Sequence, residues 1–86
     1  MTEMERYNCY VEQEDRALER LRTLESCLYS VFDHIYRYGE RFDRDAVMET
    51  LLAIHEIETI VRLELLHLRL EKAYLAYALN PCKPQG

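Results

Sequence analysis

Between Thr2 and Tyr38, and again between Glu40 and Asn80, the chain contains neither glycine nor proline. These two residue types oppose a helix most strongly, by about 1 and about 3 kcal/mol relative to alanine. Long stretches without them, rich in Leu, Glu and Arg, favour helix over strand. Gly39 is the single interruption, and two long helices divided by one glycine have few ways to fold. The chain has 86 residues, enough for one domain, and a domain so short buries a limited share of its surface.

The helix ends are written in the sequence. Thr2-Glu3-Met4-Glu5 has the form of a capping box, with the Thr2 hydroxyl set to accept from the Glu5 N–H and the Glu5 carboxylate set to reach back. Gly39 suits the left-handed residue that closes many helices. Asp43 is the N-cap of the second helix, Asp45 adds negative charge to its first turn, and Phe42 is spaced to staple onto Val47. Asn80 followed by Pro81 stops it. The pattern predicts an all-α domain over residues 1–80, with helix 1 over about 3–38, a turn over 39–42 and helix 2 over about 44–79. Residues 81–86 read as a disordered tail. Each helix is about 50 Å long, and so short a link makes the two antiparallel neighbours in a hairpin. A turn centred near residue 41 sets residue i level with about residue 82 − i. A break in helix 1 near Asn8, or over Thr23 to Ser26, is the alternative and would give three helices.

The apolar residues then define faces. On helix 1 one heptad column reads Met4, Val11, Leu18, Glu25 and Phe32, and a second reads Tyr7, Glu14, Leu21, Leu28 and Ile35. These are the expected seam, flanked by Tyr10, Ala17, Leu24, Val31 and Tyr38. The opposite column, Glu5, Glu12, Glu19, Ser26, Asp33 and Glu40, is acidic and expected to face water. Helix 2 carries two stripes. The first is Val47, Leu51, Ile54, Ile57, Val61, Leu65, Leu68, Leu75 and Leu79, and the second, nearly opposite, is Met48, Leu52, Leu63, Leu66, Leu70, Tyr74 and Tyr77. Charged residues, Glu58, Arg62, Glu64, His67 and Arg69 among them, fall between the stripes. Helix 1 covers one stripe, so the second is expected to be covered by another chain. Twofold self-association is the commonest solution, and it yields a four-helix bundle with helix 2 central. In that architecture the chain is similar in shape to the plasmid copy-control hairpin dimers, and the likeness implies architecture alone.

Charge and motifs narrow the function classes. The net charge is −5, which repels phosphates and argues against direct binding to nucleic acid or an anionic membrane. A partner with a basic surface is the complementary expectation. The apolar stretch around Leu63 to Leu70 is interrupted by Glu64, His67 and Arg69, so no membrane span is expected. Three cysteines (Cys9, Cys27 and Cys82) without CxxC spacing, and an acidic start lacking an apolar core, suggest a reducing, cytoplasmic setting. No glycine-rich phosphate loop and no nucleophile motif occurs, and two helices offer little concavity, so no enzyme and no cofactor are expected.

Four sets of residues remain as candidates. Met48, Leu52, Leu63, Leu66, Leu70, Tyr74 and Tyr77 are the self-association stripe. Glu5, Glu12, Glu19, Asp33 and Glu40 form an acidic face, partly neutralised by Arg16 and Arg37 at i,i+4. Tyr29 and Tyr36 edge helix 1, and Tyr with Arg is enriched at interfaces. Glu64-Leu65-Leu66-His67 is an E-x-x-H, which with Glu14 has the residue types of a carboxylate–histidine metal site. A plain Glu14–Lys72 pair competes with that reading. Glu25, level with Glu58 and His55, is expected to bond to His55 or Arg62. The leading expectation is a small, non-enzymatic homodimer that binds and regulates or inhibits another macromolecule. The rivals are an acidic phage-type inhibitor of a nucleic-acid-binding complex (anti-defence or anti-CRISPR-like, acting in the host cytoplasm), a subunit or chaperone docking by helix 2, and a dimeric metal-binding bundle.

Overall fold

A computed structural model describes residues 2–80. The sequence-predicted tail, residues 81–86, lies outside the described residues, as does Cys82. The chain is an all-α antiparallel hairpin: α1 (Glu3–Tyr38), a single 3₁₀ turn (Gly39–Arg41) and α2 (Arg44–Leu79). Helix α1 is unbroken through Asn8 and through Thr23 to Ser26.

Both N-cap side chains accept the bonds expected of them, but among the described residues the Glu5 carboxylate makes no return bond to the Thr2 N–H. Thr2 Oγ1 accepts from the Glu5 N–H at 3.1 Å, and Asp43 Oδ2 accepts from the Ala46 N–H at 3.0 Å. At the far end the Asn80 N–H donates to the Tyr77 carbonyl at 3.2 Å. Asn80 is extended, as a residue before proline is pushed to be. Gly39 departs from expectation. It has φ −53° and ψ −32°, an ordinary right-handed helical conformation. The reversal comes instead from Tyr38, at φ −137°, and from extended Phe42, whose N–H donates to the Gly39 carbonyl at 3.3 Å.

Burial corrects the seam on α1. The columns turned toward α2 are Tyr7, Glu14, Leu21, Leu28, Ile35 and Tyr10, Ala17, Leu24, Val31, all buried or half-buried. Spacings of three and four alternate along this set, the signature of coiled-coil packing. The column placed first in the sequence reading lies at the edge: Met4 and Phe32 are 58% and 50% exposed, and Glu25 is exposed. Hydropathy alone did not rank three adjacent apolar columns. Ala17, at 3% exposure, is among the most buried residues of the seam.

On α2 the seam is equally regular: Val47, Leu51, Ile54, Glu58, Val61, Leu65, Leu68, Lys72 and Leu75. The core is Ala17, Leu21, Val61 and Leu65, with Leu18 and Leu24 packed against it. Three assignments change, the first being Leu79, which was placed in the covered stripe and is exposed at the open end. Glu58, read as lying between the stripes, is buried in the seam, and Ile57, read as core, is exposed. The 3–4 alternation requires position 58, and a carboxylate is admitted there because Arg62 Nη2 donates to Glu58 Oε2 at 2.8 Å.

The register also moves. Glu14 meets Arg69 and Lys72, and Arg20 meets Glu64, one to four residues further along α2 than a turn centred on residue 41 implies. The 3₁₀ segment lengthens the link and shifts its centre toward α2. The result is one layer of two helices, 62 × 26 × 17 Å, with a radius of gyration of 19.3 Å. A compact chain of this length would have about 12 Å. Among the described residues each helix therefore has a neighbour on one side and none on the other.

Candidate interaction surface

A helix whose seam repeats every seven residues turns the intervening positions away from its neighbour. On α2 these are the columns through Leu63, Leu66 and Tyr74. They carry Ile60, Leu63, Leu66, Leu70, Tyr74 and Tyr77, exposed by 65, 55, 64, 51, 67 and 54%. Met48 and Leu52 continue the face toward the turn at 56% and 51%. Ile60 was missed in the sequence reading, and its signal was there: it stands seven residues before His67 and fourteen before Tyr74, in one column. His67 is exposed on the same face rather than flanking it.

The acidic column of α1 lies on that helix's outer side. Glu5, Glu12, Glu19, Asp33 and Glu40 are all exposed. Asp33 pairs with Arg37 at 3.3 Å, whereas Glu12 and Arg16 form no ion pair. Tyr29 and Tyr36 are 70% and 91% exposed. Tyr38 differs in having company: Arg41 lies over its ring at 5.3 Å, and His34 is tilted against it at 6.4 Å between centroids. His34 Nδ1 lies 3.0 Å from the Ser30 carbonyl, a bond that holds the proton on Nδ1.

The residue types of a metal site do not converge. Glu14 sits in the seam between two cations: Lys72 Nζ donates to Oε1 at 2.7 Å and Arg69 Nε to Oε2 at 3.1 Å. The Lys72 hydrogen bond holds the Glu14 carboxyl below the usual carboxylate range against the opposing effect of burial, and Arg69 adds to it. The same bond raises Lys72. Glu64 points to Arg20 at 3.5 Å, and His67 lies on the outward face. No group of three or more His, Cys, Asp or Glu side chains able to hold a metal gathers among the described residues. Glu58 is likewise occupied by Arg62, and Glu25 forms no bond to His55 or Arg62.

Open hollows lie at the turn end, along α1 between Arg22 and His34, and beside Arg20 and Ile57 in the middle of the hairpin. A hollow of about 450 Å³ lies between Val31, Ile35, Phe42 and Val47, with Ser30, His34, Asp43 and Thr50 at its rim. It is an open cleft at the end of two helices and brings no charged pair into hydrogen-bonding distance. Within the described residues no helix is long and apolar enough to cross a membrane. Set against known proteins, the chain matches no family model, no curated protein and no solved structure.

Proposed function

We propose that this protein is a non-enzymatic interaction module, a homodimer of hairpins that regulates or inhibits another macromolecule through the surfaces left outside the dimer. One observation carries the reading: six large apolar side chains, each more than half exposed, run along the outward face of a helix already packed on its other side. A contiguous apolar strip of this extent marks an interaction site, and twofold self-association is its commonest use. The acidic column of α1 and Tyr29 and Tyr36 belong to the other helix, so a dimer through α2 leaves them open to a partner with a basic surface. Most charged side chains near the seam are engaged in ion pairs, and the others are spread over convex helix faces, which suits binding rather than catalysis.

Light scattering across a concentration series tests the reading. The expected mass is that of two chains. Leu66→Glu puts an unpaired charge in the strip, so it is expected to halve the mass or unfold the chain, with circular dichroism separating the two. A wild-type monomer at every concentration defeats the dimer and makes the strip a docking face for a different protein. A dimer that survives Leu66→Glu places self-association on another surface.

A further inference from the structure

Resting on the dimer reading, we infer that the second copy seats its own α2 antiparallel on the outward face, with the twofold axis crossing near residue 68. Glu49 and Glu56 lie in the same heptad column as Leu63, Leu70 and Tyr77, so toward the turn the outward face becomes acidic. Between Thr59 and Tyr77 the outward positions carry no Asp, Glu, Lys or Arg, and His67 is the one titratable group among them besides the two tyrosines. A chain of net charge −5 meets a copy of itself at least cost where neither surface is charged.

Orientation follows from the same two glutamates. In a parallel pair every residue meets its own copy, which sets Glu49 against Glu49 and Glu56 against Glu56, a destabilising like-charge contact. An antiparallel pair centred at the midpoint of Thr59 and Tyr77 removes both. Glu56 then falls level with Asn80 of the other copy, and Glu49 lies beyond the end of that helix. In this register Leu66 of one copy meets Leu70 of the other, Leu63 meets Ala73, and Thr59 meets Tyr77. Large residues face small ones at two of these levels, which is how helix surfaces interlock. Met48 and Leu52 lie outside the overlap.

The available area matches. Taking about 150–250 Å² for a whole large side chain, the six exposed residues present on the order of 700 Å² per chain, close to the roughly 800 Å² each partner contributes to a stable complex. Each α2 then packs α1 on one side and the other α2 on the opposite side, and the acidic columns of the two α1 helices stand at the far edges, where they do not repel.

Distances between spin labels test the geometry separately from the dimer. Labels are attached at Glu71→Cys or Thr50→Cys in the full-length chain with Cys9, Cys27 and Cys82 changed to Ser, after its mass and helicity are matched to wild type. With the axis near residue 68, the Glu71 labels are offset by about 9 Å along the helices and the Thr50 labels by about 54 Å. A short Glu71 distance and a Thr50 distance beyond about 50 Å are expected. Two short distances mean a parallel pair and overturn the inference. Two similar distances, offset by about 30 and 35 Å, mean overlap over the whole of α2 and also overturn it. In both cases the dimer reading survives. A monomeric mass removes both.

Discussion

A carboxylate inside an apolar seam is held only if cations reach it, and Glu14 is reached twice, from Lys72 and from Arg69. Its carboxyl is held below the ordinary value first by the Lys72 hydrogen bond, so the folded chain binds that proton more weakly than the unfolded chain does. The resulting stability is present above about pH 4.3 and is lost as pH falls through the lowered value. Lys72 is raised by the same bond; its share is present below about pH 10.4 and is lost as pH rises through the raised value. Glu14→Gln is therefore expected to flatten the acid limb of the stability profile and lower the melting temperature by a few degrees at neutral pH. An acid limb as steep as wild type would show that the pair contributes nothing. The Glu14–Lys72 partnership was legible from the seam positions of the two residues. The burial of Glu58 was not, because a charged residue at a seam position reads as a reason to rotate the helix rather than as a member of the core. Its i,i+4 neighbour Arg62 is the signal that could have placed it.

At the scale of the helices, the caps and the hairpin could be read directly. Thr2 and Asp43 each offer an oxygen three residues ahead of an otherwise orphaned N–H, and nothing between the caps and Tyr38 or Leu79 breaks the pattern. Which of three apolar columns on α1 forms the seam could not be read, since Met4, Val11, Leu18 and Phe32 are as apolar as the columns that won. The phase is decided by how α2 sits, a tertiary effect. The conformation of Gly39 was misjudged for a related reason: a glycine at a helix end usually signals a left-handed residue, but here it continues right-handed into the 3₁₀ turn. This has a consequence. A Cβ on Gly39 would meet Ile35 Cγ2 at an ordinary 3.6 Å. Gly39→Ala is thus expected to stabilise the protein by about 0.4–1 kcal/mol through the entropy of the unfolded chain. Thermal denaturation checks it, and a loss of stability would mean that the turn needs the left-handed form.

The whole molecule is a single layer, more than three times as long as it is thick. Only Ala17, Leu21, Glu58, Val61, Leu65, Leu68 and Leu75 are buried among the described residues. So thin a core makes the stability of a hairpin depend on what covers its outward face. If the cover is a second copy, unfolding is coupled to dissociation, and the melting temperature rises with protein concentration. Differential scanning calorimetry over a hundredfold range of concentration is expected to show that rise, and a constant midpoint would argue for a hairpin that stands alone. The need for cover was visible in the two stripes of α2. Who provides it was not, because an apolar surface states an area and a periodicity but not the identity of its complement.

The short link has a kinetic side. Ile35 and Val47 face the seam on either side of the turn with eleven residues between them, so bringing them together closes a small loop. Each later pair along the seam closes a longer one, but a doubling of loop length adds only about 0.6 kcal/mol. Assembly that begins at Phe42 and runs outward meets no steep step, and the ladder of contacts closes like a zip. Tyr7 and Leu75, at the open end, are then expected to join last and come apart first.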